Sequence, residues 1–155
     1  MKLEIKTFDE LTTRELYEIL RLRSQIFVVE QRSIYQDLDY VDYDSAHLML
    51  WNEDRLDAYM RIYQIEGDPE DFWKFGRVVT RKYGQGLGAT ILPKGYKYVY
   101  ERNPNATIGI ESQCQAQGFY EKFGFRPCSE PFVMDGLPHI KLKMKLASWK
   151  PEKER

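Results

Sequence analysis

The stretch from Gly76 to Gly88, Gly-Arg-Val-Val-Thr-Arg-Lys-Tyr-Gly-Gln-Gly-Leu-Gly, constrains this chain more than any other. The β-branched run Val78, Val79, Thr80 reads as the end of a strand. Arg81, Lys82 and Tyr83 come next, then a glycine turn, then Leu-Gly-Ala-Thr-Ile-Leu, which reads as the opening of a helix. Strand, glycine turn and helix together form a device for holding phosphate. Glycines let the backbone approach a ligand closely, and the N–H groups at a helix start point outward at it. An ordinary turn is the competing reading of a glycine cluster taken alone.

The segments before this stretch are strands. His47–Glu53, Leu56–Ile65 and Phe72–Thr80 are apolar runs separated by turn signals at Asp54-Arg55 and Gly67-Asp68-Pro69. Short turns between successive strands predict an antiparallel meander. After the glycine turn the pattern predicts a helix from about Gly86 to Glu101. Pro93 inside it should kink or shorten it, because proline removes an intrahelical hydrogen bond.

Upstream, Lys2–Lys6 alternate as a short strand. Thr12-x-x-Glu15 is a capping box, and Leu16, Ile19, Leu20 and Arg23 step behind it at helical spacing, so a helix should end near Ser24. Gln25–Gln31 reads as a second short helix or a buried segment. Residues 33–45 alternate acids with large side chains: they form either a solvated connection or a loop whose carboxylates and tyrosines line a pocket. Downstream, Ala106–Glu111 reads as a strand. Ala116, Phe119, Tyr120 and Phe123 mark one helix face, closed by Gly124. Phe125–Met134 and Pro138–Met144 read as two strands joined through Asp135-Gly136.

A chain of 155 residues suffices for one domain, expected over 1–147, with a charged tail over 148–155 expected to fray. Charged residues make up 30% and hydrophobic ones 43%, the balance of a soluble globular protein. A net charge of -1 leaves no basic excess for nucleic acid. The start has no signal-like apolar core, and no apolar run reaches membrane-spanning length. Cys114 and Cys128 match neither a metal spacing nor a disulfide framework, so a cytoplasmic protein without a metal is expected.

Three phosphate devices compete for the glycine turn. A P-loop needs Gly-Lys-Ser/Thr, whereas Gly88 precedes Ala89-Thr90. Gly84-x-Gly86-x-x-Ala89 fits the dinucleotide fingerprint, and Glu101 lies at a tolerable distance. That fingerprint belongs to the first strand of a βαβ unit, however, and here a meander precedes it.

The third device is that of the GNAT N-acetyltransferases, which the chain resembles over nearly its whole length. Their Arg/Gln-x-x-Gly-x-Gly/Ala turn corresponds to Tyr83-Gly84-Gln85-Gly86-Leu87-Gly88. Their second landmark, a helix ending in Tyr-x-x-x-Gly-Phe, corresponds to Tyr120-Glu121-Lys122-Phe123-Gly124-Phe125. Phe27-Val-Val-Glu-Gln31, Tyr35-Gln-Asp-Leu-Asp39, His47, Gly76-Arg-Val-Val79 and Asp135-Gly-x-Pro-His-Ile140 narrow the resemblance to the ElaA-like subfamily. Two positions depart from it. Tyr83 stands where the turn motif has Arg or Gln, and Gln115 stands where ElaA-type sequences have His.

The resemblance implies an α/β fold of the α+β kind: a mixed, mostly antiparallel sheet splayed at the fourth strand, with flanking helices. It implies acetyl transfer from acetyl-CoA to a primary amine by direct attack in a ternary complex. In that reading the N–H groups of Gly84, Gln85, Gly86, Leu87, Gly88 and Ala89 anchor the pyrophosphate. Arg81 or Lys82 supplies the cation that Tyr83 lacks. Val78, Val79 and Thr80 lay out the pantetheine arm, a Val79 N–H donates to the developing oxyanion, and Gln113 and Phe119 add cofactor contacts. Tyr120 protonates the leaving thiolate, although by periodicity alone it belongs to the core. Glu30, Gln31, Tyr35, Asp37, Asp39, His47 and His139 are acceptor-side candidates, because an amine arrives as a cation and must shed a proton. Arg77 could instead pair with a carboxylate and be structural. A covalent route through Cys114 would need a histidine partner that the sequence does not indicate. The acceptor is a small-molecule or peptide amine, the assembly a monomer or homodimer, and a CoA-binding module without turnover is the alternative function.

Overall fold

The computed structural model describes residues 1–81 and 85–151. They form a mixed α/β protein that divides into two compact units, Met1–Tyr63 with Phe75–Ile91, and Gln64–Lys74 with the chain from Leu92 onward.

In the first unit β1 (Lys2–Thr7) pairs antiparallel with β2 (Ala46–Asn52), which pairs antiparallel with β3 (Arg55–Gln64). β4 (Phe72–Thr80) has the bounds that its apolar run predicts. The turn between β2 and β3 falls on Glu53-Asp54, one residue earlier than the expected Asp54-Arg55, and Glu53 takes a positive φ there. β2 is buried from Ala46 to Trp51, so both of its faces are covered.

α1 (Thr13–Arg23) starts at the Thr12/Glu15 capping box and ends where expected. Its continuation, Ser24–Glu30, is helical rather than a buried segment, with Ile26 its one buried residue. It is a π-helical run, with Gln31 N–H donating to the Ile26 carbonyl at 3.0 Å. The two helical stretches supply Ile19, Leu22 and Ile26 to a core with Met49, Trp51, Leu56, Tyr59 and Val79. Burial of each such side chain contributes roughly 1.5–3 kcal/mol before the entropy of ordering is counted.

α2 (Leu87–Tyr100) runs through Pro93 and is not shortened by it. Leu92, Tyr96 and Val99 on its later turns are all buried, and that anchoring offsets the hydrogen bond lost to proline.

In the second unit β5 (Thr107–Gln113) pairs antiparallel with β8 (Leu137–Lys145), placing Gln113 opposite His139. From Ile140 onward β8 alternates, with Ile140, Leu142 and Met144 buried and Lys141, Lys143 and Lys145 exposed. α3 (Gln117–Lys122) comes after a 3₁₀ turn at Cys114–Ala116 and stops before Gly124. The strand expected over Phe125–Met134 is two fragments, β6 (Arg126–Pro127) and β7 (Phe132–Met134). Pro127 and Pro131 have no N–H to give a ladder, and the Ser129 hydroxyl accepts from Lys141 N–H at 3.0 Å in place of a backbone partner. Asp135 and Gly136 close the β7–β8 hairpin with φ of 52° and 78°, the positive pair that a type I′ turn demands. Trp149, in the segment expected to fray, packs its ring against Tyr96 and Tyr100. Among the described residues no helix is long and apolar enough to cross a membrane.

Candidate functional site

β4 carries its site residues in the first unit. Val79 is buried in that unit's core, while Val78 and Thr80 are half-buried and Arg81 is exposed. Arg81 N–H donates to the Asp57 carbonyl at 2.7 Å, which ties the end of β4 to β3. Lys82, Tyr83 and Gly84 lie outside the described residues. Beyond them Gly86 takes φ 69° with no heavy atom within 4 Å of where a Cβ would stand. The first helical bond, Thr90 N–H to the Gly86 carbonyl at 3.1 Å, makes Gly86 the cap of α2. Leu87, Gly88 and Ala89 form the first turn of α2, where N–H groups in general have no partner within the helix. This is the local geometry in which an anion can be held.

The acceptor-side candidates of the same unit divide into two groups. Glu30 is exposed and lines a pocket of about 290 Å³ together with Gln25, Arg21, Arg55 and Arg81. Gln31 is half-buried at the end of the π-helical run. Asp37, Asp39 and His47 belong instead to a buried polar framework built on three arginines.

Arg23, only 1% exposed, donates through Nε to Asp37 Oδ2 at 3.0 Å and through Nη1 to Asp42 Oδ1 at 2.7 Å. Arg61, 3% exposed, forks onto both oxygens of Asp39 at 2.8 and 2.7 Å and reaches Asp42 Oδ1 at 3.1 Å. Arg77 donates through Nε to Asp37 Oδ1 at 2.7 Å and through Nη2 to the Asp37 carbonyl at 3.1 Å. Three guanidinium groups thus meet three carboxylates. Bidentate and charge-assisted contacts of this kind are the strong ones.

Burial alone would raise the pKa of Asp39, but the hydrogen bonds and charge of Arg61 outweigh it and bring the group down to about 2. Asp42 is also lowered, because the Arg23 contact overcomes its burial. Tyr35 donates to Asp37 Oδ1 at 3.3 Å, and burial pushes its phenol up to about 12.

His47 is fully buried. Its Nε2 lies 2.9 Å from the Asp42 carbonyl, which can only accept, so Nε2 carries the proton. Its Nδ1 then accepts from the Tyr59 hydroxyl at 2.6 Å. Both nitrogens of a neutral ring are engaged, and burial lowers the pKa further. The structure places this histidine as a buried hydrogen-bonding strut.

Arg77 has φ 51° inside β4. A left-handed conformation at a non-glycine residue costs of order 1–3 kcal/mol and persists only where its surroundings hold it. Adjacent Gly76 makes room for the framework, because a Cβ there would stand 3.3 Å from Arg61 Nε.

Arg23, Arg61, Asp42 and Tyr59 were not among the sequence candidates. A signal did exist: Arg23 occupies the apolar stripe of α1, and Arg61 interrupts the run Ala58-Tyr-Met-Arg-Ile62. An arginine that replaces a core residue has to find carboxylates.

In the second unit Tyr120 is 8% exposed, against the rings of Phe119 and Phe125 at 5.2 and 5.9 Å. Burial raises its pKa, which keeps the phenol protonated. Phe119 is exposed. Gln113 accepts from Gln115 Nε2 at 2.9 Å, so the glutamine that departs from the subfamily pattern ties its own turn. His139 is buried, and its Nδ1 donates to the Leu137 carbonyl at 2.8 Å. Cys114 and Cys128 are free thiols.

Known proteins share the fold of this chain. The family model described as the acetyltransferase (GNAT) domain matches residues 27–146. Protein ElaA of Escherichia coli is 36% identical over 136 residues, covering 85% of this chain and 88% of that one. Its crystal structure superposes with a TM-score of 0.86 over 93% of this chain and 99% of that one. An acyl-CoA N-acyltransferase from Pseudomonas aeruginosa, 30% identical, superposes with the same score and coverage.

Proposed function

Because the chain belongs to the GNAT acetyltransferase family, we propose that it transfers an acetyl group from acetyl-CoA to a primary amine by direct attack within a ternary complex. One observation carries the cofactor half of this reading. Gly86 takes a positive φ at the cap of α2, with no neighbour among the described residues within 4 Å of where a Cβ would stand. The pyrophosphate belongs there, over Gln85 to Ala89, with Gly84, Lys82 and Tyr83 assigned from the motif. Arg81, which is exposed, or Lys82 supplies the cation. Val78, Val79 and Thr80 offer backbone to the pantetheine arm, and a Val79 N–H serves the oxyanion. Gln113 and Phe119 stay with the cofactor.

Tyr120 is the general acid for the departing thiolate. Its phenol is protonated at neutral pH, the state from which a general acid starts.

On the acceptor side Glu30, Gln31, Tyr35 and His139 are assigned from the motif as the groups that meet the amine. Asp37, Asp39 and His47 are engaged within the framework of the first unit. Asp37→Asn should therefore lower turnover rather than raise the KM for the amine.

The test is thiol release from acetyl-CoA across a panel of primary amines, with the product mass recorded. Calorimetry on Gly86→Val accompanies it. Valine is strained at that φ and puts a side chain where phosphate would lie, so acetyl-CoA affinity should fall by about tenfold or more, the worth of one lost charge-assisted contact. Unchanged affinity in a folded Gly86→Val would remove the cofactor from this turn. Binding without turnover on any amine would favour the CoA-binding module.

A further inference from the structure

We propose that Arg77 is a positioning residue: its ion pairs with Asp37 and Asp39 hold β4 in a left-handed conformation and so aim the N–H groups of Val78 and Val79. The importance of that aim rests on the acyl-transfer reading above. The hold itself does not depend on it.

The strain falls on a residue that did not have to carry it. Gly76 could adopt positive φ without steric cost, yet the left-handed conformation is at Arg77. The Arg77 side chain is restrained along its length. It makes two bonds to Asp37 and one to Asp39 Oδ2 at 3.3 Å, and its guanidinium lies 5.4 Å from the centre of the Tyr35 ring.

The carboxylates that hold it are themselves fixed. Arg23, on α1, grips Asp37 through Nε at 3.0 Å and through Nη2 to the carbonyl at 3.1 Å. Arg61, on β3, forks onto Asp39. The connection therefore runs from α1 and β3, through two aspartates, into the backbone of β4. An ion pair made only for stability could be formed from an ordinary strand conformation. This one is attached at the residue whose backbone departs from it. A single left-handed residue in a strand re-aims the residues after it, and at this point of β4 those are Val78 and Val79.

Glycine separates the backbone from the side chain. It accepts positive φ without help, whereas alanine does not. The experiment compares Arg77→Ala, Arg77→Gly, Asp37→Asn and the double variant Asp37→Asn/Arg77→Gly in the ¹⁵N-labelled full chain. It records the Val78 and Val79 amide resonances, acetyl-CoA affinity, and thiol release with whichever amine the wild type uses. Arg77→Ala should displace both amides and lower kcat by up to about a hundredfold, the cost of a small misplacement of reacting groups, with acetyl-CoA affinity changing less. Arg77→Gly should return the amides and turnover toward wild type. Asp37→Asn should reproduce part of the alanine effect in the wild-type background and add little to Arg77→Gly; it also serves as the probe if Arg77→Ala does not fold. Equal displacement of the amides by glycine and alanine would overturn the proposal, as would an alanine variant with unmoved amides. The amide spectra decide the hold even if the wild type transfers no acyl group, and that failure would count against the proposed function alone.

Discussion

Two regions bury ionisable side chains in opposite ways. The framework beneath residues 33–45 pairs each aspartate with guanidinium groups, so its charges are spent on each other. Around Tyr120 a phenol is set among aromatic rings, and burial holds it neutral. Paired charges fix geometry and resist titration, which suits them to positioning. A phenol held neutral by burial carries a proton and no charge, the state from which a general acid starts. Formal charge in a sequence therefore says little about which acids react.

Three changes sharpen or break this contrast. The largest effect is expected from Tyr120→Phe, which should lower kcat by about 10²- to 10⁴-fold, the usual worth of a general acid, and leave acetyl-CoA affinity and stability nearly unchanged. Steady-state kinetics with calorimetry checks it, and full turnover would return Tyr120 to the core. Next comes Arg23→Met, which removes the most buried cation and leaves Asp42 and Asp37 short of a partner. Breaking a buried pair from one side costs about 3–5 kcal/mol, readable by urea denaturation. A loss below about 1 kcal/mol, the worth of a surface pair, would show that the framework is not holding the fold.

The smallest effect is expected in acid. The pKa of Asp39 falls in the folded chain from its usual 3.8 to about 2, so folding favours its ionised form. Its stabilising contribution is fully present above about pH 4 and is lost as pH falls toward 2, while the arginines stay charged. Asp39→Asn should flatten that part of the acid unfolding curve. Its half-exposed setting and solvent screening keep the change modest.

How much could be read from the sequence depends on the range of the interactions involved. The strands were readable because apolar runs and short turns are local, and β4 has the bounds its run predicts. The helix start at Thr12 was written in four residues. The π-helical run was not readable, since Ile26-Phe-Val-Val29 fits neither a helical nor a strand period. The apolar run Phe125–Met134 does not form one strand, because Pro127 and Pro131 cannot donate to a ladder. The glycine turn and the Tyr120 helix carried enough local pattern to identify the family. The arginine framework did not, because Arg23 and Asp37 lie 14 positions apart and Arg77 and Asp37 lie 40 apart. Its traces were the arginines standing where apolar patterns expected core residues, and Arg77, whose reading as a structural partner of a carboxylate is borne out by its pairs with Asp37 and Asp39. For that reason Asp37, Asp39 and His47 looked like open groups in the sequence, whereas the fold saturates each of them.

We propose that a buried neutral phenol, and not the framework of carboxylates, gives the departing thiolate its proton in acyl transfer from acetyl-CoA to an amine. The most direct test is the rate at which wild type and Tyr120→Phe release CoA thiol from acetyl-CoA with a panel of primary amines, with each product weighed for one added acetyl group. The account predicts that the wild type acetylates at least one amine and that Tyr120→Phe, still binding acetyl-CoA, nearly stops. Acetylation at the wild-type rate by Tyr120→Phe would contradict it.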